Sequence, residues 1–319
     1  MKLNKLISAI LLTACAGSAS AASSLGLSNY QLTGNFALDT LGGTGLEASA
    51  VTYARDRNSL FFVGDEGLGV VEVSLTGQTL GSQAFNWAGT GSTNNDAEGL
   101  TYLGNGELVV VDERPQIAYK FTYSAGGVVA LNNQPKVAIT GSTTSVGNVG
   151  TEGISFDPRD GSFYSVKQDN PAQLRRSTLD FQVGFGTAST SVLFAGASSV
   201  FGLNSLSDVQ TLSPIDRLAG TEAANNLLLL SLDSRQLVEI SSTGQILSSF
   251  DLSTLTTQAI EGVTVDASGN IYLVAENNGT SFPNSRLFVL SSTAVPLPGA
   301  VWLFGSALAG FTALRRKKA

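Results

Sequence analysis

Three glutamates, each followed by glycine, occupy equivalent positions in three similar segments of the chain. The segments are 98-EGLTYLGNGELVVVDERPQ-116, 152-EGISFDPRDGSFYSVKQDNP-171 and 261-EGVTVDASGNIYLVAENN-278. Carboxylates that converge can hold a hard cation such as Ca²⁺ through oxygen, and burial can shift their pKa values. Glu98, Glu152 and Glu261 are therefore the first candidates for a metal site.

The polar residues that end these segments, and those of a similar loop at 233–235, would stand beside the glutamates. Two of them are carboxylates and join the candidate metal ligands, Glu113 and Glu276. The other polar side chains are candidates for binding a ligand: Asp112, Arg114, Lys167, Asp169, Asp233, Arg235 and Asn277.

Carboxylates gathered at one place repel each other unless something compensates their charge. One remedy is Ca²⁺, which takes six to eight oxygen ligands in proteins. The other is pairing with the cations Arg114, Lys167 and Arg235. Any single Glu-Gly pair can instead serve only to accept backbone N–H groups where a strand begins, so the sequence leaves these alternatives open.

The composition excludes several kinds of site. The chain has no histidine and a single cysteine, Cys15. Ser-His-Asp and Cys-His catalysis are therefore excluded, as are zinc sites built from cysteine and histidine. Any metal would be held by oxygen, which makes Ca²⁺ the candidate cofactor in a chain whose carboxylates recur at equivalent positions.

The repeat predicts the fold that positions these residues. Weaker copies begin at Ser49 and Gln210, so that related units recur roughly every 50 residues, a period typical of propellers. Each unit contains two strands, a polar loop, a third strand such as 117–123, a glycine turn and a fourth strand. We predict an all-β fold, a β-propeller of four-stranded blades, with every glutamate of the repeat at one mouth of the central channel.

Two segments decide the number of blades. The stretch 30–39 precedes the first unit and could give an outer strand to the last blade, closing the ring. The low-complexity segment 187–207 is expected to lengthen a loop between blades, which leaves the count at five or six.

The N-terminal 21 residues have the features of a secretory signal peptide. Lys2 and Lys5 precede an apolar stretch, and Ala19 and Ala21 form a small-residue cleavage site. Residues 12–15 also fit a lipoprotein cleavage box, in which Cys15 would be lipidated. We favour cleavage after Ala21, because the chain carries a second anchor at its other end.

That second anchor is the segment 295–319. Val295, Pro296, Leu297 and Pro298 precede an apolar run at 299–314 and four basic residues at 315–318. Such a run predicts a short transmembrane helix whose basic end stays in the cytoplasm. The order of parts resembles the PEP-CTERM sorting signals of the VPLP type. The resemblance implies a partner, an exosortase-type protease that cleaves near Pro296 to Pro298 and releases the domain toward the cell surface or matrix.

The domain between the two ends, residues 22–294, is strongly acidic. Six of the 18 basic residues and none of the 25 acidic residues lie in the ends, so the domain has a net charge of −13. Such a surface repels phosphate backbones, and we expect no nucleic-acid partner.

The most specific run, from Asp96 to Arg114, resembles the SdiA-regulated family of bacterial envelope propellers. The segments 152–158, 229–235 and 261–266 look like further blades of the same family, and the resemblance covers about residues 45 to 290. The family is related to phytase-like and esterase-like propellers. The resemblance implies a propeller in the cell envelope but carries over no catalytic residue.

Two classes of function remain. The first is a binding or scaffold module for a glycan such as an exopolysaccharide, for a peptide, or for another envelope protein. The second is a calcium-dependent hydrolase of phosphate or ester bonds, as the related propellers imply. We favour the first, because a phosphate-cleaving site needs several cations and only Arg114, Lys167 and Arg235 are expected near the mouth.

Overall fold

The computed structural model describes residues 24–65, 67–277 and 281–293. The predicted signal peptide, Cys15 and the predicted sorting segment at 295–319 lie outside the described residues. No helix within the described ranges has both the length and the apolarity to cross a membrane.

The described residues form strands almost throughout. A single strand, β1 (Tyr30–Ala37), precedes the first blade. Blade 1 consists of β2 (Ala48–Ala54), β3 (Ser59–Gly64), β4 (Gly69–Val73) and β5 (Thr79–Asn86). Blade 2 contains β6 (Ala97–Gly104), β7 (Glu107–Asp112), β8 (Ile117–Thr122) and β10 (Pro135–Ala138). The short strand β9 (Val128–Ala130) lies between β8 and β10 in the chain but does not belong to blade 2.

The second half of the chain repeats this plan. The strands of blade 3, together with the short β14, are β11 (Thr151–Asp157), β12 (Ser162–Lys167), β13 (Gln173–Asp180), β14 (Gln182–Val183) and β15 (Thr187–Ala195). Blade 4 consists of β16 (Asp208–Thr211), β17 (Leu227–Ser231), β18 (Gln236–Ile240) and β19 (Ile246–Asp251). Blade 5 contains β20 (Ile260–Val265), β21 (Ile271–Ala275) and β22 (Arg286–Ser292).

Helices in the described part of the chain are short. One α-helix, α1 (Ala197–Phe201), links blades 3 and 4. The remaining helical turns are of the 3₁₀ type: Leu27–Asn29, Leu41–Gly43, Leu131–Asn133, Asp216–Leu218, Glu222–Asn225 and Leu252–Thr254.

The blades close into a ring of five. β1 pairs antiparallel with β22 from Tyr30 opposite Ser292 to Ala37 opposite Arg286, so the first strand completes the last blade. The predicted ring closure by the N-terminal stretch is therefore confirmed, and the blade count is settled at five. The inner strands β2, β6, β11, β16 and β20 each contact the next around the channel, and β20 contacts β2.

The segment 187–207 differs from the prediction, because its first half is a strand rather than part of a loop. Residues 187–195 form β15, the outer strand of blade 3, and they pair with β13 over nearly its whole length. From Thr187 to Ser191, exposed serine or threonine side chains alternate with partly buried residues, which suits an outer strand whose exposed face meets water. Only the short stretch with α1 remains as an addition between blades.

Hydrophobic side chains fill each of the five interfaces between blades. In β7, Leu108 and Val110 pack toward blade 1, whereas Val109 and Val111 pack toward blade 3. The side chains of β17 alternate in the same way between blade 3 and blade 5, and Leu228 lies in the cluster shared with blade 5. Successive side chains of a strand point to opposite faces, so a strand buried on both faces requires a continuous apolar run. The runs LVVV and LLLL in the sequence are therefore explained by packing between blades.

Polar side chains on the inner strands tie the blades together around the channel. They occupy the position three residues after each repeat glutamate or its counterpart, and we call them the interblade ring: Thr52, Thr101, Ser155, Gln210 and Thr264. A backbone N–H of the following blade donates to each hydroxyl of this ring: Tyr102 to Thr52 (3.1 Å), Phe156 to Thr101 (2.9 Å), Thr211 to Ser155 (3.1 Å) and Tyr53 to Thr264 (3.1 Å). The Thr264 hydroxyl donates to the Gln210 amide oxygen at 3.0 Å, which completes the circle.

We expect Thr101→Val to lower the free energy of unfolding by about 1 to 3 kcal/mol, because the Phe156 N–H would lose its acceptor in a buried position. Denaturant unfolding measures the change. The matched control is Thr122→Val, at the exposed end of β8, where we expect a change within about 0.5 kcal/mol. Equal effects of the two substitutions would contradict a structural role for the interblade ring.

Candidate functional site

The inner strands all begin at the same mouth of the channel, and this brings the repeat glutamates together. Glu98, Glu152 and Glu261 each lie where the strand register shifts by one residue, and so does Ser49. Such a bulge leaves one residue without a partner in the adjacent strand and re-aims its side chain. The structure thus places all three predicted glutamates at one mouth.

The neighbouring blade leaves little or no room for a side chain at the glycine that follows each glutamate. A Cβ on Gly153 would lie 2.2 Å from the Asp208 Oδ1 atom, and one on Gly262 would lie 2.9 Å from the Ser49 carbonyl oxygen. A Cβ on Gly99 would meet the Glu152 carbonyl oxygen at 3.1 Å. The Glu-Gly pair therefore combines a side chain for the mouth with a close approach of two backbones.

The fourth blade follows a register different from the one predicted. Gln210 belongs to the interblade ring, so the counterpart of the glutamates is Ser207, three residues earlier. Ser207 Oγ accepts the Leu232 N–H at 2.9 Å, as Ser49 Oγ accepts the Asp65 N–H at 3.1 Å. The prediction that Gln210 occupies the glutamate position is wrong, because an insertion between β16 and β17 displaces the apparent repeat.

Eight carboxylates converge at this mouth, which we call the acidic mouth. They lie just before an inner strand, near the beginning of an inner strand, or directly after the second strand of a blade: Glu47, Asp65, Asp96, Glu98, Glu113, Glu152, Glu261 and Glu276. Each of them influences the charge state of at least one other, so they form one electrostatic group.

The tightest part of the acidic mouth is formed by Asp65, Asp96 and Glu98. One carboxylate oxygen from each lies within 4.8 Å of those of the other two. Asp96 is 1% exposed, and its Oδ1 atom accepts no hydrogen bond from an N–H group or an alcohol hydroxyl of the described residues. Its Oδ2 atom accepts the Arg114 Nε–H at 2.5 Å. This group is therefore short of positive charge on the side away from Arg114.

Burial and mutual repulsion raise the pKa values of most of these carboxyls. Burial, then the Glu261 charge, raises the pKa of Glu98 well above its usual range, and burial with the Glu98 charge does the same for Glu152. Burial and contact with Asp96 raise the pKa of Asp65 to about 8. Burial would also raise the pKa of Asp96, but hydrogen bonds with neighbouring carboxyls and Arg114 outweigh it and lower that pKa.

Two other predicted residues share this environment. Burial raises the pKa of Glu113 to about 7, and its Oε1 atom accepts the Gly150 N–H at 2.8 Å while no donor from the described residues reaches Oε2. Burial raises the pKa of Asp112 to about 7, and its side chain is fully buried behind the mouth. Glu276 belongs to the acidic mouth. Burial raises the pKa of Glu261 most strongly, and the charge of Glu276 raises it further.

The predicted basic residues compensate this charge only in part. Arg114 pairs with Asp96 and donates to Asn148 as well. The Lys167 ammonium donates to the Asp169 backbone carbonyl, and Arg235 donates to the backbone carbonyls of residues 256 and 258. Among ion pairs between described residues, the Arg114 pair alone involves the acidic mouth.

The remaining candidates lie at the edge of the site. The side chains of Asp169 and Asp233 are exposed, and the structure brings neither into the acidic mouth. The Asn277 Oδ1 atom accepts the Glu47 N–H at 2.7 Å, so this side chain fixes the backbone beside the mouth. Their predicted roles in binding a ligand stay predictions.

Glu47, Asp65 and Asp96 were not among the residues predicted from sequence. Asp65 stands at the end of a second strand, as Glu113 and Glu276 do, so the repeat register contained the signal for it. Glu47 and Asp96 each lie two residues before the repeat position, in a segment whose loop conformation no pattern specifies.

A family comparison agrees with the repeat and with the ring of five blades. The SdiA-regulated family model matches residues 22–280. The chain belongs to the SdiA-regulated family. The match covers all five blades up to the acidic end of β21, so the predicted resemblance to this family is confirmed.

Similar solved structures include two enzymes of low sequence identity. A luciferin-regenerating enzyme is 11% identical with a TM-score of 0.48, and the alignment covers 83% of this chain and 97% of that one. A streptogramin B lyase is 13% identical with a TM-score of 0.43, with coverage of 85% and 100%.

We expect the metal-free protein, in EDTA, to lose stability as the pH rises from about 5 to 8. The carboxyl pKa values lie near 4 in the unfolded chain, whereas those of Glu113 and Asp65 are about 7 and about 8 in the fold. Between these values the folded state binds more protons, so the free energy of unfolding falls with rising pH. Denaturant unfolding at several pH values measures the slope.

The absence of histidine from the chain makes this measurement specific for shifted carboxyls. Glu113→Gln should reduce the slope, and Glu222→Gln, at an exposed position on a short helix, should leave it unchanged. Stability that is constant or rises over this pH interval would show that the carboxyls of the acidic mouth are not raised.

Proposed function

We propose that this SdiA-regulated propeller is a calcium-dependent binding module of the cell envelope. The observation that carries the proposal is the group of Asp65, Asp96 and Glu98 at the acidic mouth. Two oxygens that bind one Ca²⁺ at 2.3 to 2.6 Å can be no more than roughly 5 Å apart. The oxygens of this group lie within 4.8 Å of one another, so each pair of them meets that condition.

The ligand atoms and the charge of the acidic mouth favour Ca²⁺ over pairing with basic side chains as the means of compensating the carboxylates. The available ligand atoms are carboxylate oxygens, which hard cations prefer. The basic residues do not supply enough compensation, since Lys167 and Arg235 are engaged by backbone carbonyls. A divalent cation would bind the buried Asp96 Oδ1 atom and lower the repulsion among the surrounding carboxyls.

The coordination number explains how such an ion would serve binding. Ca²⁺ takes six to eight oxygens, and three side chains leave positions for other ligands. Hydroxyl or carboxylate oxygens of a glycan, a peptide or an envelope protein could fill those positions. The ion would then recruit a ligand that the negative domain would otherwise repel.

The same geometry argues against a hydrolase of phosphate esters. The developing charge on a transferred phosphoryl group needs several cations or metal ions around it. At the acidic mouth, Arg114 is already paired with Asp96 and Lys167 is held by a carbonyl oxygen. Binding is therefore the function that the arrangement supports best.

Calcium at about 100 times its dissociation constant should add about 2.7 kcal/mol to the free energy of unfolding. For a domain of this size, we expect a rise in melting temperature of roughly 5 to 10 °C over the protein in EDTA. Glu98→Gln should remove most of this response while leaving the metal-free melting temperature equal or higher, because it removes a repelled carboxylate. Thermal melting with CaCl₂ or EDTA measures both.

Glu222→Gln is the matched control and should keep the full calcium response, because its side chain is exposed on the helix Glu222–Asn225. A wild-type melting curve indifferent to EDTA and to millimolar calcium would rule out a calcium site at the acidic mouth.

The envelope location rests on the two predicted terminal segments. In the native host, we expect the mature protein to begin after Ala21 and to lack residues 315–319, because an exosortase-type protease would cleave near Pro296 to Pro298. Intact-mass measurement of protein from the cell surface or matrix tests both cleavages. A mass that includes the basic tail would contradict processing, and a lipidated Cys15 would contradict cleavage after Ala21.

A further inference from the structure

The other end of the channel contains a cavity of about 540 Å³ that the acidic mouth does not share. Its lining includes residues of all five blades, among them the members of the interblade ring. Glu98 and Thr101 lie three residues apart on the same strand, which places roughly 10 Å of backbone between the two sites. We call this cavity the distal pocket. Its volume lies within the usual range for small-molecule sites, roughly 300 to 1,000 Å³.

Aromatic side chains form one wall of the distal pocket. Tyr53, Tyr102 and Phe156 line it, and each is only partly buried. They occupy the same repeat position in blades 1 to 3, directly after a member of the interblade ring. Blades 4 and 5 have Thr211 and Val265 at this position. The pocket is therefore one-sided, with flat apolar surfaces toward three blades and small side chains toward the other two.

These aromatic side chains are held in place by other contacts. The Tyr102 ring stacks on Phe61 with centroids 5.8 Å apart, and its hydroxyl accepts the Gly106 N–H at 2.7 Å. The Tyr53 hydroxyl donates to Asn58 at 3.2 Å. The wall is thus built before any ligand arrives, which lowers the entropy lost on binding.

The floor of the pocket offers hydrogen-bond donors that the fold leaves unused. Thr52 and Thr101 each accept a backbone N–H through Oγ1, so the hydroxyl proton of each is free to be donated. Neither proton has an acceptor among the described residues. The Gln210 amide and the Thr264 hydroxyl stand beside them on the same floor.

The charged side chains of the lining, Arg55 and Asp56, lie exposed at the rim of the pocket. Arg55 pairs with Asp216 at 2.6 Å and also donates to the Pro214 carbonyl. Asp56 accepts the Asn105 N–H and is hydrogen-bonded to the Tyr102 hydroxyl. The Arg55 charge is therefore already matched, and the floor of the cavity carries no ionised side chain.

We propose that the distal pocket binds an uncharged sugar ring, such as the terminal unit of a neutral glycan. A pyranose presents apolar C–H groups on its faces and hydroxyl groups around its edge. The faces suit the wall of Tyr53, Tyr102 and Phe156, and the hydroxyl oxygens can accept the protons of Thr52 and Thr101. The binding does not involve the carboxylates of the acidic mouth.

The test is saturation-transfer NMR and calorimetry on the full-length protein in EDTA. The probes are methyl glycosides of glucose, galactose, mannose and N-acetylglucosamine, with cellobiose and maltose. We expect at least one probe to bind with a dissociation constant in the millimolar range. Tyr53→Ala should weaken that binding by roughly three- to tenfold or more.

Two further variants separate loss of the site from loss of the fold. Ser213→Trp keeps the aromatic wall and fills the cavity, so it should abolish binding while the melting temperature stays near that of the wild type. Phe185→Ala changes an exposed aromatic residue outside the pocket and should leave binding unchanged. Glu98→Gln should also leave it unchanged, which distinguishes this site from the proposed calcium site.

Three results would overturn the proposal. The first is no binding of any sugar probe at 50 mM, roughly ten times the expected dissociation constant. The second is binding that persists in both Tyr53→Ala and Ser213→Trp. The third is binding of a planar aromatic probe such as indole without any of the sugars, which would assign the pocket to another class of ligand.

Discussion

The close approach of five inner strands around one axis is the constraint on which the rest of this structure depends. Where β11 meets β16, a Cβ on Gly153 would overlap the Asp208 carboxylate, so glycine is required. Two residues further along β11, the Ser155 hydroxyl accepts the Thr211 N–H of the next blade. The same crowding therefore dictates glycine at one level of the channel and the interblade ring at another.

Closure of the ring also creates the electrostatic problem at the acidic mouth. The carboxylates contributed by four of the five blades would be harmless on isolated sheets, because water would screen their charges. The ring brings Glu98, Glu152 and Glu261 together in a place where burial removes that water. Protons or a cation must then offset the repulsion, and this gives the mouth its sensitivity to pH and its suitability for Ca²⁺. A structure with so many raised carboxyl pKa values at one place is a candidate for function on that ground.

The two ends of the channel differ because the inner strands have a direction. All five strands begin at the acidic mouth and end at the distal pocket, so each repeat position forms its own level. On β6 and β11, which carry both, the repeat carboxylate lies four residues before the aromatic residue, as Glu98 does before Tyr102. One fold can therefore present a charged site and a neutral site that do not interfere with each other.

The sequence by itself determined the all-β propeller, the equivalence of three glutamates and the origin of the closing strand. These follow from local signals. A strand buried on both faces requires a continuous apolar run, and the repeat shows which residues occupy equivalent positions in the blades. Only the tertiary structure decided that Ser207 rather than Gln210 faces the mouth, that residues 187–195 form an outer strand, and that Asp65 and Asp96 join Glu98. Strand pairing across the sheet sets which residues occupy equivalent positions in the blades. An insertion such as the one between β16 and β17 changes the spacing along the chain without changing that pairing, so the equivalent positions cannot be read from the spacing. The engagement of Lys167 and Arg235 by carbonyl oxygens was equally beyond the sequence, since the path of a long side chain depends on the neighbours that the closed ring supplies.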